Sequence, residues 1–286
     1  YDLNKKQNDD VEFKIFEMPD FFNNNGNAPM QPHIHSFYQI IWYQKGNGNH
    51  YVDFKSYPIK DNTLFFISPG QIHYFDNNKK NIGYIIHFNE SFMSDETSSE
   101  NVFLKYNVFN AFDTVPFYNI EESKVDRLNY IMEEMKIETE NIGSFAHKDY
   151  LTYLVKMFLI YIQRIGNRGS GTPLCVNNSL NRLFVQFRLI LEQNYKKIHS
   201  VKEYANLLNV STKTLTNSVL ESSNSTPLKI INDRIILEAK RQLKHSSLQI
   251  KEIAFQLGFE DPSYFVKFFK RETGTLPSKF RFGNFK

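Results

Sequence analysis

At 286 residues the chain is long enough for about two domains. Its 34 Lys and Arg against 31 Asp and Glu leave a net charge of +3, and its single cysteine, Cys175, excludes an intrachain disulfide framework and fits a reducing compartment. No segment approaches the ~20 apolar residues of a membrane span, and residues 1–10 are polar with no signal-peptide core, so a soluble cytoplasmic protein is expected.

After that polar tail, residues 11–90 carry short aromatic and β-branched runs at Phe37–Tyr43, His50–Phe54, Thr63–Ile67 and Gly83–Phe88. Turn residues at Asn23–Asn27 and Gly46–Asn49 punctuate them as loops, and strands at this spacing predict a barrel or sandwich. Residues 91–119 give no clear assignment. Two helices follow. Val125, Leu128, Met132 and Met135 make a narrow seam, whereas His147–Arg164 is apolar almost all round. A helix apolar on more than one face needs more than one packing partner, such as the strands on one side and a second subunit on the other.

Gly166 to Pro173 reads as a flexible linker, with Cys175 just beyond it. From about 179 the pattern is all helical. Leu180, Leu183, Phe184, Phe187 and Ile190 mark an amphipathic helix, and Ser200 and Glu203 form a capping box ahead of Val201, Ala205 and Leu208. Asn209 suits a left-handed turn, and Ser211 caps a helix with Leu215 and Val219 inward. Thr226-Pro227 opens a long helix through Ile230, Ile231, Ile235, Leu237 and Leu243.

The final stretch is the most informative. Ile250, Ile253, Ala254 and Leu257 make one helical stripe that Gly258 ends. Asp261 and Pro262 then start a second helix with Phe265, Phe268 and Phe269 on its core side, and Gly274 stops it. Ser263, Lys267 and Lys270 fall on other faces. Helix, tight turn and capped cationic helix are the shape of a helix-turn-helix, here at about 248–273, with an earlier one at about 201–221. Charge agrees. Residues 178–286 hold 18 Lys and Arg against 9 Asp and Glu, a net +9, while the remainder holds 16 against 22, a net −6. A basic third on an acidic body is the footprint of a nucleic-acid-binding domain joined to something else.

Two such units bridged by one long helix resemble the DNA-binding domain of the AraC/XylS family of bacterial transcription regulators. The residues carrying the resemblance are Ile250, Ile253-Ala254, Gly258-Phe259, Ser263-Tyr264-Phe265, Phe269-Lys270, Gly274, Pro277 and Phe280-Arg281. Phe280 stands where the family usually has Tyr. The first unit keeps Ala205, Ser211 and Leu215 but has Asn217 and Val219 where members often carry Arg and Phe. The N-terminal part resembles the cupin-type effector domain common in the family through Pro32-His33-x-His35-x-x-x-Gln39, Gly46-x-Gly48, and Asp61 followed by Pro69-Gly70-x-x-His73. The implied fold is α+β in two domains. A cupin-like β-barrel and two helices over 11–165, for effector binding and dimerisation, precede a linker at 166–178. An all-α domain with two helix-turn-helix motifs joined by a long helix follows over 179–286.

The resemblance implies a sequence-specific regulator, not an enzyme, and no cofactor. Its partners would be double-stranded DNA, a small-molecule effector, a second copy of the chain, and RNA polymerase if it activates, with no membrane. Matched residue by residue, the base readers are Lys213, Thr216 and Asn217 in the first unit and Ser263 and Lys267 in the second. Pro262 sits at a further contact position without a donor. Ser211, Thr212, Lys270 and Arg271 read as phosphate contacts, which position without specifying. His33, His35 and Gln39 share strand parity with Tyr43, so with His73 and Tyr74 they are the candidate effector pocket. The alternative is a metal held by His33, His35 and His73, making a metal-dependent cupin enzyme with an accessory helical domain. Gln39 in place of the usual metal-cupin Glu argues against it.

Overall fold

The computed structural model describes residues 12–78, 80–93, 107–109, 115–165 and 179–283. They divide into two compact units, split between residues 173 and 174. The tail at 1–10, the linker expected at 166–178 with Cys175, and most of the unassigned 91–119 stretch lie outside the described residues.

The N-terminal unit is sheet-rich. Its strands are β1 (Phe13–Glu17), β2 (Tyr38–Lys45), β3 (Asn49–Val52), β4 (Lys55–Pro58), β5 (Thr63–Ile67), β6 (His73–Phe75), β7 (Ile82–Phe88) and β8 (Phe117–Asn119). They form a five-stranded sheet in the order β1-β7-β2-β5-β8 and a three-stranded sheet in the order β4-β3-β6. Helix α1 (Met18–Asn25) lies between β1 and β2, and the short α2 (Glu90–Met93) follows β7. Two longer helices close the unit, α3 (Val125–Glu140) and α4 (His147–Ile165). Two sheets and two helices match the expected order of elements. Among the described residues the strands hydrogen-bond as two sheets without closing into one continuous barrel.

Covering of both faces of β2 explains why its residues Ile40 to Tyr43 read as an apolar run. Tyr38, Ile40 and Trp42 join Leu64, Phe66, Ile86 and Phe88 beneath Leu128, Met132, Leu154 and Phe158 of the helices. Ile41 and Tyr43 face the other way, into a core shared with Val52 and Phe75 of the smaller sheet. A strand covered on both faces cannot afford polar alternation.

Several boundaries differ from expectation. Asn23–Asn25 end α1 instead of forming a loop, because Phe21 and Phe22 anchor that helix in the core. The strand expected to reach Phe54 stops at Val52, since Asp53 and Phe54 adopt φ of 47° and 67° and make the hairpin turn into β4. Within the unassigned 91–119 stretch, β8 adds an edge strand to β5.

The C-terminal unit is all helical: α5 (Ser179–Asn194), α6 (Val201–Leu207), α7 (Thr212–Ser223), α8 (Pro227–His245), α9 (Ile250–Gln256), α10 (Pro262–Thr273) and α11 (Pro277–Phe282). The long helix α8 buries Ile230, Ile231, Arg234, Ile235, Ile236 and Ala239, with Leu237 only half-buried. A buried arginine needs partners. Arg234 Nε reaches both Glu192 oxygens at 2.8 and 2.9 Å, and its guanidinium lies 3.8 Å from the Tyr195 ring centre. This clamp ties the end of α5 to α8. At the other end, Arg281 donates to the carbonyls of Leu248 at 2.6 Å and Leu243 at 3.3 Å, tying α11 to the turn after α8.

Candidate nucleic-acid interface and histidine cluster

The two helix-turn-helix units, α6–α7 and α9–α10, are built alike. In each, the turn holds a residue in the left-handed region, Asn209 at φ 53° and Gly258 at φ 81°. The following amide closes the turn onto the same kind of acceptor. Val210 donates to the Ala205 carbonyl and Phe259 to the Ala254 carbonyl, both at 3.0 Å. Ser211 then caps α7 by accepting from the Thr214 amide at 3.0 Å, and Asp261 caps α10 by accepting from the Ser263 amide at 2.8 Å. Asn224 and Gly274 end the two helices with φ of 53° and 77°.

From these caps onward an offset of 50 residues superimposes one unit on the other, buried position upon buried position. Leu215, Ser218, Val219, Pro227 and Ile230 match Phe265, Phe268, Phe269, Pro277 and Phe280. On the outward faces, Thr212, Lys213 and Asn217 of α7 are exposed, as are Ser263, Lys267 and Lys270 of α10. These positions can reach a groove. Thr216 is half-buried and spends its hydroxyl proton on the Thr212 carbonyl at 2.8 Å, which leaves it a methyl and an acceptor to offer. Pro262 is half-buried at the first turn of α10. Arg271 is exposed, paired with Glu272 at 2.8 Å, and 5.4 Å from the Phe268 ring centre. A phosphate would have to compete with that carboxylate.

In the N-terminal unit the backbones of His33 and His73 pair as an isolated antiparallel bridge, with hydrogen bonds of 3.1 and 3.0 Å. This brings the His33-x-His35 segment beside β6, with ring centres 4.3 Å apart for His33 and His73 and 5.0 Å for His35 and His73. Two histidines that the sequence reading missed complete the cluster. His50 on β3 contacts His73 at 3.3 Å and the Tyr43 hydroxyl at 3.2 Å. His87 on β7 accepts from the Gln39 amide at 2.7 Å, because β2–β7 pairing sets these residues opposite each other. Shared parity with Ile85 was the available signal for His87, but parity does not reveal what lies across the ladder. Tyr74 stands apart. Strand alternation turns it away from His73 to stack on Tyr51, with ring centres 4.3 Å apart.

Hydrogen bonding fixes two tautomers. His33 Nδ1 lies 2.8 Å from the Gln31 carbonyl and His35 Nδ1 lies 2.7 Å from the Phe37 carbonyl. A carbonyl only accepts, so both Nδ1 atoms carry the proton and both Nε2 atoms present bare lone pairs. His35 Nε2, His73 Nε2 and Gln39 Oε1 are buried without a hydrogen-bond partner among the described residues. Such orphans are costly unless something satisfies them. Burial, reinforced by neighbouring His33, holds both His35 and His50 down at about 3. His73 and His87 are held well below the ordinary histidine range by burial and by the other imidazoles. The cluster is therefore neutral at physiological pH. Among the described residues no group of three or more His, Cys, Asp or Glu is disposed to hold a metal ion, so the alternative built on His33, His35 and His73 gains no coordination geometry.

Residues 23–116 match the family model described as an AraC-like ligand binding domain, and residues 204–282 match a helix-turn-helix domain. Among curated relatives, an uncharacterized HTH-type transcriptional regulator of Bacillus subtilis, YfiF, is 23% identical over 87% of this chain and 78% of its own. The HTH-type transcriptional activator RhaS of an Enterobacter strain is 22% identical over 90% and 89%. Among solved structures, ToxT from Vibrio cholerae aligns over 94% of this chain and 97% of its own at 16% identity and a TM-score of 0.41. Ligand-binding and helix-turn-helix models match in order along one chain, and relatives named as HTH-type transcriptional activators align over most of it, so this protein belongs to the AraC/XylS family and is a DNA-binding transcription regulator with an N-terminal ligand-binding domain.

Proposed function

We propose that the protein sets α7 and α10 into successive major grooves on one face of its operator, about one helical turn or ~34 Å apart. The observation carrying this is that the two units match at an offset of 50 residues from their caps onward, each presenting an exposed, capped helix of the same design. Lys213, Thr216 and Asn217 read bases in the first groove, and Ser263 and Lys267 read them in the second. Ser211, Thr212, Lys270 and Arg271 contact the phosphate backbone, and Pro262 takes a further contact position without a donor. Footprinting on DNA selected from a random pool tests this directly. Two protected segments one turn apart are expected, and a single segment would refute the reading.

A small molecule binding against His33, His35, Gln39, Tyr43 and His73 is the proposed input, with His50 and His87 added to the set. The bare lone pairs of His35 Nε2 and Gln39 Oε1 suit a ligand that brings hydrogen-bond donors. Dimerisation runs through α3 and α4, whose outer faces leave Tyr130, Ile137, Tyr150, Tyr153, Met157 and Ile160 exposed. The 166–178 segment joins the two domains and transmits the ligand's preference between two states. The protein acts in the cytoplasm by binding, without catalysis, and as an activator, the role named for RhaS and RhaR, it would contact RNA polymerase. Among the described residues no helix is long and apolar enough to cross a membrane. Thermal-shift screening of metabolites tests the input. A stabilising ligand whose effect disappears in His35→Ala supports it, and one whose effect persists there places the site elsewhere.

A further inference from the structure

The two helix-turn-helix units share α8, but one helix alone leaves two bodies free to twist about it. A second contact lies away from that helix. The segment between α5 and α6 runs directly over the turn of the second unit, so close that a Cβ on Gly258 would stand 2.3 Å from the Lys196 carbonyl oxygen. His199 lies in this segment, one residue before the Ser200 cap of α6. Its ring centre is 4.8 Å from that of Phe259. Phe259 in turn packs on Phe265 and Phe268 of α10, both at 5.2 Å between ring centres. A continuous line of packed rings thus connects the start of the first unit to the recognition helix of the second. The His199 Nε2 atom is buried within this joint without a hydrogen-bond partner.

We infer that His199 is a positioning residue that sets the spacing and rotation between the two recognition helices, and hence the operator spacing the protein prefers. The duplicated design makes the assignment specific. Leu248, the residue at the equivalent place before α9, offers its carbonyl to Arg281 instead and braces its own unit. Among the described residues, the first unit sends a ring, His199, across to its neighbour's turn. Burial lowers the His199 pKa, opposed by polar contacts with the backbone of Leu257 and Tyr195 and by Glu203. The ring therefore sits in the joint as a neutral group.

The inference rests on the reading that both units engage one duplex, and the test separates the two. Full-length protein is first used to select and footprint a preferred site. Affinity is then measured on that site and on versions with one base pair inserted or removed between the two protected segments. Wild type is expected to discriminate against altered spacing. His199→Ala is expected to lose most of that discrimination, a coupling between variant and spacing of about tenfold. His199→Phe, which keeps a ring in the joint, should restore it. If His199→Ala folds poorly, His199→Gln supplies the same comparison at nearer volume. A spacing preference retained in His199→Ala, or an equal loss on every spacing, overturns the positioning role. A wild type that protects one segment only overturns the two-groove reading, and the inference with it.

Discussion

The two helix-turn-helix units share a backbone plan and differ in what fills and faces it. Behind α10 lie Phe265, Phe268 and Phe269, while the equivalent places behind α7 hold Leu215, Ser218 and Val219. At the far end of the outward face, Lys270 and Arg271 of the second unit correspond to Leu220 and Glu221 of the first. The first unit therefore has a lighter core and lacks that pair of cations. The two units share the caps and turns, which set the shape, and differ in core volume and charge. On the proposed reading, Ser263 and Lys267 of the second unit carry more of the sequence specificity, and the first unit reads through the smaller groups Thr216 and Asn217.

The largest test of this asymmetry is in the cores. Phe269→Ala should cost about 3–5 kcal/mol of stability, whereas Val219→Ala should cost clearly less because fewer buried atoms are removed. Equal losses in denaturant titration would show that the lighter core is no weaker. Acid offers a way to isolate the comparison from the N-terminal domain. His35 and His50 are held at about 3 against the ordinary 6.5, so between those values the unfolded chain binds more protons. Stability that is complete above the unfolded pKa is lost as pH falls towards 3, roughly 2 kcal/mol per imidazole by pH 5. The N-terminal domain should melt first on acidification, leaving the helical domain folded. Retention of its near-ultraviolet signal at pH 5 with an unchanged melting temperature would contradict the buried neutral cluster.

Smaller effects lie on the DNA. Lys267→Ala should cost about 1–3 kcal/mol at one base-pair position. A uniform loss over all sequences would make Lys267 a phosphate contact. Lys270→Ala should lower the slope of log affinity against log salt by about one, and Glu221→Arg should raise it by about one, making the first unit more like the second. An unchanged slope in both variants would mean these positions lie away from the backbone of the duplex.

The parts of the site legible in the sequence were those set by local rules. Gly258, Asp261, Pro262 and Gly274 each declare a backbone state through their own chemistry, and the helices start and stop accordingly. Strand parity reaches only Gln39 and Tyr43, which lie on β2, whereas His33 and His35 precede that strand and meet His73 through the isolated His33–His73 bridge. What parity could not supply was the partner strand. Gln39 meets His87 through a pairing 48 residues away in the chain, and His50 meets His73 through β3–β6. Tyr74, expected in the same pocket, lies on the opposite face by strand alternation and stacks on Tyr51.

The order of elements, the duplication of a capped helix pair and the choice of DNA as partner follow from short-range patterns, because caps, turns and amphipathic stripes act within a few residues. Tertiary structure alone decided which histidines share an interior, how Arg234 survives burial, and where His199 wedges against the neighbouring turn. Each of these depends on surfaces brought together across long loops, and no local preference encodes which two surfaces meet.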